Sequence, residues 1–471
     1  MKNNILSLIL IFTISISFAQ KLNYKELDGK QLGEYDNVML GKQNNLLATY
    51  LTDYISILKV TVKDANFKKI DSYIGANFKD ISINKKGIFI FNETADEFNV
   101  EQIDNKGNSI QKVKLMNKPK IKQFKVGDQK FYRHKIIFSE DLSCFAVCQG
   151  VNDGILQRKN AQNTSSFDRY LYDHGFSVEK VQIFDFDLKL VSKYDFDPKN
   201  PIEFSTCFLS NQGQFYGLEF GTNSNVVKIE NNLATKVPFK LNETGFVKLF
   251  IKAIEDKVIV TSIVSTFGHD PGNNSLTRLA AQKINYQFLN AKDLSKIYEQ
   301  NYQFTQDEIQ KSLTKSEARD EHKSQGISGL RLSDLKLING NEIIATYYQD
   351  MEWNGVTVLS FSNIYINKVT SKGVEKSIVL DRIDDKMDWF NVRSYKPISI
   401  VQNNKLYVYY LKNNLEEFGF KEFDMNFKET KSNFENYSKA KKSMPYPQFF
   451  ERINDKRYVM SAKDGEYIIE F

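Results

Sequence analysis

Apolar residues in this chain come in short runs of four to seven, and the runs fall into two kinds. One kind is apolar without alternation, as in Ile343-Ile344-Ala345-Thr346-Tyr347-Tyr348 and Leu406-Tyr407-Val408-Tyr409-Tyr410-Leu411. A strand with that pattern must be covered on both faces. The other kind drifts toward alternation, as in Leu188-Lys189-Leu190-Val191-Ser192-Lys193-Tyr194-Asp195-Phe196, which suits a strand at a partly solvated edge. Tight turns such as Asn339-Gly340-Asn341, Asn403-Asn404, Asn454-Asp455 and Asn105-Lys106-Gly107 separate the runs, and these residue types favour hairpins.

The runs recur in one order. Both-face-apolar second strands are expected at Leu46 to Leu51, Gly87 to Phe91, Cys144 to Val147, Phe215 to Phe220, Val258 to Val264, Ile343 to Tyr348, Leu406 to Leu411 and Tyr458 to Met460. Each is followed by a third apolar run, for example Val181 to Phe186 or Phe418 to Phe423, and then by an alternating fourth, for example Ile110 to Leu115 or Ile297 to Phe304. A unit of four strands every ~40–60 residues resembles the blade of a β-propeller. The fold class expected is therefore all-β, a single propeller spanning 20–471 with eight four-stranded blades, or seven on the alternative alignment. The last unit, ending at Phe471, lacks a fourth strand, while Lys21 to Leu27 is a strand without a unit. The N-terminal strand is thus expected to complete the C-terminal blade. No named propeller family is matched: Trp-Asp ends, paired-glycine kelch signatures and sialidase-type turns are missing. The nearest approach to a signature is an acid opening the outer turn, in Phe184-Asp185-Phe186-Asp187, Phe423-Asp424-Met425-Asn426 and Ile103-Asp104-Asn105.

Residues 1–19 read as a cleavable secretory signal, with Lys2, an apolar stretch from Ile5 to Ile16, and Ser17-Phe18-Ala19 ahead of Gln20. The expectation is an exported, periplasmic or extracellular protein with no integral membrane segment in the mature chain, because no later run approaches the ~18 apolar residues a span requires. The formal charge of +6 becomes +5 without Lys2, and basic and acidic residues interleave, so no nucleic-acid partner is expected. Cys144 and Cys148, four apart on one strand, lie ~13 Å apart, beyond the ~7 Å reach of a disulfide. Cys207 has the reach to meet either, but three buried small hydrophobes is the default reading.

Long connections are expected only where second strands lead to third strands and where fourth strands lead to the next blade. They are 152–177, 267–282, 305–329, 350–362 and 381–393. Both kinds emerge on the same face of a propeller, so one face carries the elaboration. A helix is expected from Thr305 to Lys323, opened by a capping box between Thr305 and Glu308, and with few apolar positions it reads as a loosely attached surface element. The chain's only two tryptophans fall on this face, with acids beside them. Trp353 has Asp350 and Glu352; Trp389 has Asp384, Asp385 and Asp388, with Arg393 close by. An indole beside carboxylates suits sugar stacking, or a cation held by oxygens; the competing reading is that both rings plug loops onto the blades.

Sequence spacing supports neither a zinc site nor a nucleophile: His-x-x-x-His, Cys-x-x-Cys, Gly-x-Ser-x-Gly and Walker-type loops are not found. Asp173-His174 and His269-Asp270 each set an acid beside an imidazole, the arrangement of an oriented base, though adjacent loop residues commonly face solvent. The sequence reading is therefore a secreted, non-catalytic binding or scaffold propeller that engages a protein or glycan through its loop-rich face, with no cofactor or metal assigned. The rival is an extracellular enzyme cleaving polysaccharide or peptide at the mouth of the axial channel, using the same acids and Arg393. A third reading is a structural part of a cell-envelope complex, held by an exposed apolar patch.

Overall fold

The structure, a computed structural model, describes residues 21–26, 36–43, 46–52, 57–63, 69–74, 80–84, 86–94, 96–104, 108–117, 131–152, 176–197, 199–200, 202–219, 224–239, 246–268, 278–312, 326–349, 363–380, 396–412, 416–443, 445–454, 456–462 and 465–471; before Asp80 it describes backbone only. Almost all of these residues lie in antiparallel meanders. The first is β2–β5 (Asp36–Gln43, Leu46–Thr52, Ile57–Lys63, Lys69–Ile74) and the second β6–β9 (Asp80–Asn84, Gly87–Glu93, Glu97–Ile103, Ser109–Asn117). The third is β10–β13 (Phe131–Phe138, Cys144–Asn152, Phe176–Asp185, Leu190–Asp195). In the fourth the inner strand is split into β14 (Ile202–Glu203) and β15 (Phe208–Leu209) by a 3-10 turn at Phe204–Thr206, followed by β16–β18 (Phe215–Glu219, Asn225–Glu230, Leu233–Pro238).

The fifth meander is β19–β22 (Phe246–Ile254, Lys257–Gly268, Arg278–Asn290, Lys296–Gln303). A short helix α1 (Gln306–Lys311) and a bridge strand β23 (Ile327–Ser328) lead to the sixth, β24–β27 (Leu330–Leu337, Ile343–Gln349, Ile364–Thr370, Gly373–Leu380). The seventh is β28–β31 (Ile398–Gln402, Lys405–Lys412, Glu417–Asp424, Glu429–Asn436), and β32–β34 (Pro445–Asn454, Arg457–Ala462, Gly465–Glu470) come last. The strand expected at Lys21 to Leu27 is β1 (Lys21–Glu26), and it runs antiparallel to β34. That register sets Lys21 opposite Glu470 and Lys25 opposite Glu466. Each expected second strand is present, as β3, β7, β11, β16, β20, β25, β29 and β33.

The core is a series of slabs between neighbouring sheets, which explains the missing alternation. In β29, Tyr407, Tyr409 and Leu411 pack toward β33 and β34, while Leu406, Val408 and Tyr410 pack toward the sixth meander. Along β11, Ala146 and Cys148 face the fourth meander, and Phe145 and Val147 the second. The sixth meander does the same, with Tyr347 turned to the fifth and Ile344 to the seventh. Sheets stacked face to face in this manner, each sandwiched between its neighbours in sequence, are the packing of a β-propeller. Burying a large apolar side chain contributes roughly 1.5–3 kcal/mol, so these slabs dominate the stability of the fold.

The outer turns are built on one device. Asp185 Oδ1 accepts the amides of Asp187 and Lys189, both at 2.9 Å, and Asp424 Oδ1 accepts those of Asn426 and Lys428, also at 2.9 Å. Asp104 takes the amide of Asn108 at 2.8 Å, and Asn290 that of Lys292 at 2.8 Å. The acid that the sequence placed at this turn is therefore spent on its own backbone. Three of these turns hold a large apolar residue at positive φ: Leu188 at 61°, Leu294 at 60° and Phe427 at 59°. Each side chain is buried in the slab between its own sheet and the one before it. The left-handed conformation costs roughly 1–2 kcal/mol, and burial of a leucine or phenylalanine offsets it. Leu188, expected to begin the fourth strand of its blade, is instead this plug, and the strand starts at Leu190.

Candidate functional site

The residues singled out from sequence, Asp350, Glu352, Trp353, Asp384, Asp385, Asp388, Trp389 and Arg393, lie outside the described residues, as do Asp173-His174, His269-Asp270 and His322. The strand ends bracketing them are described. β25 ends at Gln349 and β26 opens at Ile364; β27 ends at Leu380 and β28 opens at Ile398. Antiparallel order puts these ends on the rim where β11 meets β12 and β20 meets β21, opposite the acid-capped turns.

At this rim α1 spans the fifth and sixth meanders. Its capping box is present, with Thr305 Oγ1 accepting the Glu308 amide at 3.2 Å and Glu308 Oε2 accepting the Thr305 amide at 2.8 Å. Glu308 is not a surface acid. Its Oε1 also accepts the hydroxyls of Tyr302 and of Ser377, the latter at 3.0 Å. Ile309 is 2% exposed within the fifth–sixth slab. The carbonyls at the helix end are taken by side chains of the sixth meander, Lys311 O by Asn363 Nδ2 at 2.5 Å and Ser312 O by Gln349 Nε2 at 3.4 Å. The expected loose attachment is therefore corrected: few apolar positions were needed because polar anchors from three strands hold the helix. The residues expected to extend it beyond Ser312 lie outside the described ones. Behind Gln349 a buried chain continues, from Tyr365 OH to Gln349 Oε1 at 3.1 Å, and from Tyr347 OH to Tyr286 OH at 2.8 Å, with Asn367 Nδ2 donating to Tyr286 OH at 3.0 Å. Burial pushes the Tyr286 and Tyr347 phenols above their ordinary range, so they serve as hydroxyl donors and acceptors rather than phenolates.

A second polar cluster lies at the same rim where the second, third and fourth meanders meet. His134 on β10 is fully buried and stacked on Phe98, with ring centroids 5.0 Å apart. Gln149 Nε2 donates to the Asn117 carbonyl at 2.9 Å and lies 3.0 Å from His134 Nε2, while His134 Nδ1 lies 2.9 Å from Glu93 Oε1. The second amide hydrogen of Gln149 thus caps Nε2, which assigns the ring proton to Nδ1 and aims it at the carboxylate. Both nitrogens are occupied, leaving neither for a metal or a substrate.

Lys135, the next residue, faces the fourth meander. Its Nζ stands 4.8 Å from the centre of the Phe176 ring and 4.7 Å from that of Phe204, and the two rings meet edge to face at 86°. Glu203 lies in this corner. Desolvation, only partly offset by hydrogen bonds from Ser205 and by the Lys135 charge, pushes its carboxyl up to about 7. A carboxyl that titrates near neutrality, a cation and two aromatic faces thus meet at the rim where β11 ends and β12 opens. This corner was missed from sequence because β10, interrupted by Arg133-His134-Lys135, lacks the apolar run that marked other strands.

The cysteines are all free, with Cys144 and Cys148 buried and Cys207 half-buried. Burial raises all three thiols, so they act as the small hydrophobes expected rather than as thiolate nucleophiles or ligands. Among the described residues, no group of three or more His, Cys, Asp or Glu side chains is close enough to share a metal ion, and no helix is long and apolar enough to cross a membrane.

No protein-family profile matches the chain, and no curated protein matches it by sequence. Among solved structures, the WD40 domain of SCAP from fission yeast is similar to it at 8% identity, with 96% of this chain and 94% of that one covered and a TM-score of 0.47. The β-propeller domain of Cps50 (Swd1) from Myceliophteria thermophila covers 95% of this chain and 100% of its own at 9% identity, with a TM-score of 0.36. The propeller domain of the Trilobed protease from Pyrococcus furiosus, which has an open velcro topology, covers 76% and 99% at 10% identity, with a TM-score of 0.32. The solved structures it resembles are β-propellers, and they point to no specific family within that fold.

Proposed function

We propose that this protein is an exported, non-catalytic binding propeller, an eight-bladed ring closed by β1 on β34, which takes a protein or glycan ligand on the rim that carries the long connections. The observation that supports this most is the unequal use of polar groups at the two rims. On the turn-bearing rim, Asp104, Asp185, Asn290 and Asp424 are consumed by their own backbones. On the other rim the scaffold carries a clamped helix, bonded to Gln349 and Asn363 at the described ends that bracket the Trp353 connection, and the Lys135–Phe176–Phe204–Glu203 corner. Conserving the blades while varying connections on one rim is how a rigid ring presents a binding surface.

The two tryptophans are the chain's only ones, so indole emission reports on these connections alone. Titration with soluble β-glucan, xylan, alginate and peptidoglycan fragments, and with candidate envelope proteins, should shift that emission saturably. Trp353→Ala and Trp389→Ala should abolish capture while the circular dichroism spectrum stays unchanged. Capture that survives both substitutions would remove these residues from the site, and emission indifferent to every ligand would defeat the reading.

A further inference from the structure

The three adjacent strands β16, β17 and β18 bring a lysine and an asparagine onto one buried carboxylate. Glu219 closes β16, Asn225 opens β17, and the register sets them opposite one another. Asn225 also faces Pro238 on β18, so Lys236, two residues along, is its diagonal neighbour on the same face, within reach of a long side chain. Lys236 Nζ donates to Glu219 Oε1 at 2.5 Å, and Asn225 Nδ2 donates to Glu219 Oε2 at 2.9 Å. Because a carboxylate only accepts, the amide nitrogen of Asn225, rather than its oxygen, is the atom turned to it. The Glu219 side chain is 2% exposed and that of Lys236 34%, so the carboxylate is shielded while the amine end opens toward water. The same face carries Ile202, paired with Glu219, and Val227, paired with Lys236, both fully buried in the slab against the third meander.

An amine and a primary amide held on the two oxygens of one shielded carboxylate are the reactants of an amide exchange, with the proton carrier already between them. We propose that Lys236 and Asn225 become joined by an isopeptide bond, with Glu219 relaying the proton. Lys236 Nζ yields a proton to Glu219 Oε1, and its lone pair attacks Asn225 Cγ to form the Nζ–Cγ bond. As the tetrahedral centre collapses, the Cγ–Nδ2 bond breaks, and Glu219 passes the proton to the nitrogen that faces its other oxygen. The second proton shed by Nζ leaves with that ammonia. Lysine ammonium plus carboxamide thus gives a secondary amide plus ammonium, and no oxidant or cofactor enters the balance. Holding both partners on one group replaces a bimolecular encounter with an intramolecular one.

Among the described residues, similar sets at Glu97 and Glu342 lack this geometry. Lys114 and Asn99 each stand 3.5 Å from Glu97, and the Lys114 side chain is 51% exposed. Lys368 and Asn339 stand 3.3 and 3.4 Å from a single oxygen of Glu342, so no second oxygen carries a proton between them. At Glu219 the bond ties β17 to β18, the outermost strand of the fourth meander, and gives a covalent staple to a chain whose three cysteines are free.

Tryptic mapping of the purified full chain by mass spectrometry tests this. The digest should contain residues 200–228 joined to 229–240, uncut after Lys236. Its mass should lie about 17 Da, one ammonia, below the sum of the two peptides. Cyclisation of a terminal glutamine or a succinimide also loses ammonia but links no second peptide. Lys236→Arg keeps the ion pair with Glu219 and should fold with an unchanged circular dichroism spectrum, yet give no branched peptide and melt at a lower temperature. Glu219→Gln should slow formation roughly a hundredfold, and the exposed Lys114→Gln should leave the yield as it is. Full recovery of the free peptide 229–236 from folded wild-type chain after prolonged incubation would overturn the bond. A branched peptide forming at undiminished rate in Glu219→Gln would overturn the relay. Neither result bears on tryptophan emission, so this inference and the proposed rim function fail separately.

Discussion

Removing the Glu308 carboxylate should free α1 from the blades while leaving the sheets intact. The group accepts the Thr305 amide, the Thr305 and Ser377 hydroxyls and the Tyr302 phenol. A hydrogen bond to a charged group is worth roughly 1.5–3 kcal/mol net, but Thr305 is exposed and Tyr302 and Ser377 are half-buried, so water replaces part of each bond. A loss of about 3 kcal/mol in the local opening free energy is a fair sum for Glu308→Ala. Glu308→Gln keeps the shape and one acceptor oxygen and should cost about 1 kcal/mol, as should loss of the Thr305 cap in Thr305→Ala. The readout is hydrogen exchange of the helix amides, among them Ile309, bonded to Thr305 O at 3.0 Å, and Ser312, bonded to Glu308 O at 3.1 Å. At a factor of ten per 1.4 kcal/mol, Glu308→Ala should speed exchange about a hundredfold in α1 and leave β25 and β29 unchanged. An increase under about threefold would show that burial of Ile309 alone holds the helix, and the clamp argument would fall.

Other substitutions test the blades and the rim. Phe427→Ala removes a plug 7% exposed between the sixth and seventh meanders and should cost about 3 kcal/mol by urea titration. Leu233→Ser, at a site 72% exposed, should cost less than about 0.5 kcal/mol in the same assay. Gly419→Ala would drive a Cβ to 2.0 Å from the Asn433 carbonyl oxygen and should abolish soluble expression. Gly340→Ala, with φ at 56° and open space around it, should be tolerated at about 1 kcal/mol in thermal melts. Glu203 binds its proton more tightly folded, at about 7, than in the unfolded chain, so stability should decline as pH rises from its ordinary carboxyl range toward 7. Melting temperatures of Glu203→Gln should lose that decline, and equal slopes for the two proteins would refute the assignment.

Strands that are buried on both faces were the most legible part of the chain, because stacking sheets suppress alternation. Ile343–Gln349 and Lys405–Lys412 could be read directly for that reason. Inner strands were harder. β10 carries His134 and Lys135, whose polar and charged groups meet Glu93, Gln149 and the Phe176–Phe204 pair on other strands. The fourth meander's inner strand is interrupted at Phe204–Thr206, so no continuous run marked it. Leu188 looked like a strand residue because local pattern carries no sign of φ, and only the neighbouring sheet explains why a leucine tolerates the left-handed region. The Lys252 ion pairs were invisible for a similar reason: Glu140, Lys252 and Asp334 are ordinary surface letters until the third, fifth and sixth meanders meet. The tryptophan-bearing connections remain known as a sequence pattern.

The pairing of β1 with β34 has a consequence for how the molecule is made. The final sheet borrows a strand synthesised hundreds of residues earlier, so it stays one member short until translation, and any transport of the thread, is complete. Joining ends that far apart adds about 4 kcal/mol of closure entropy over a local hairpin, and it makes this step slow. Until it happens, β34 presents a bare hydrogen-bonding edge, with Glu466 and Glu470 at the register positions that would meet lysines. A chain deprived of its first described strand would therefore be largely assembled yet adhesive, recruiting a foreign strand in place of its own.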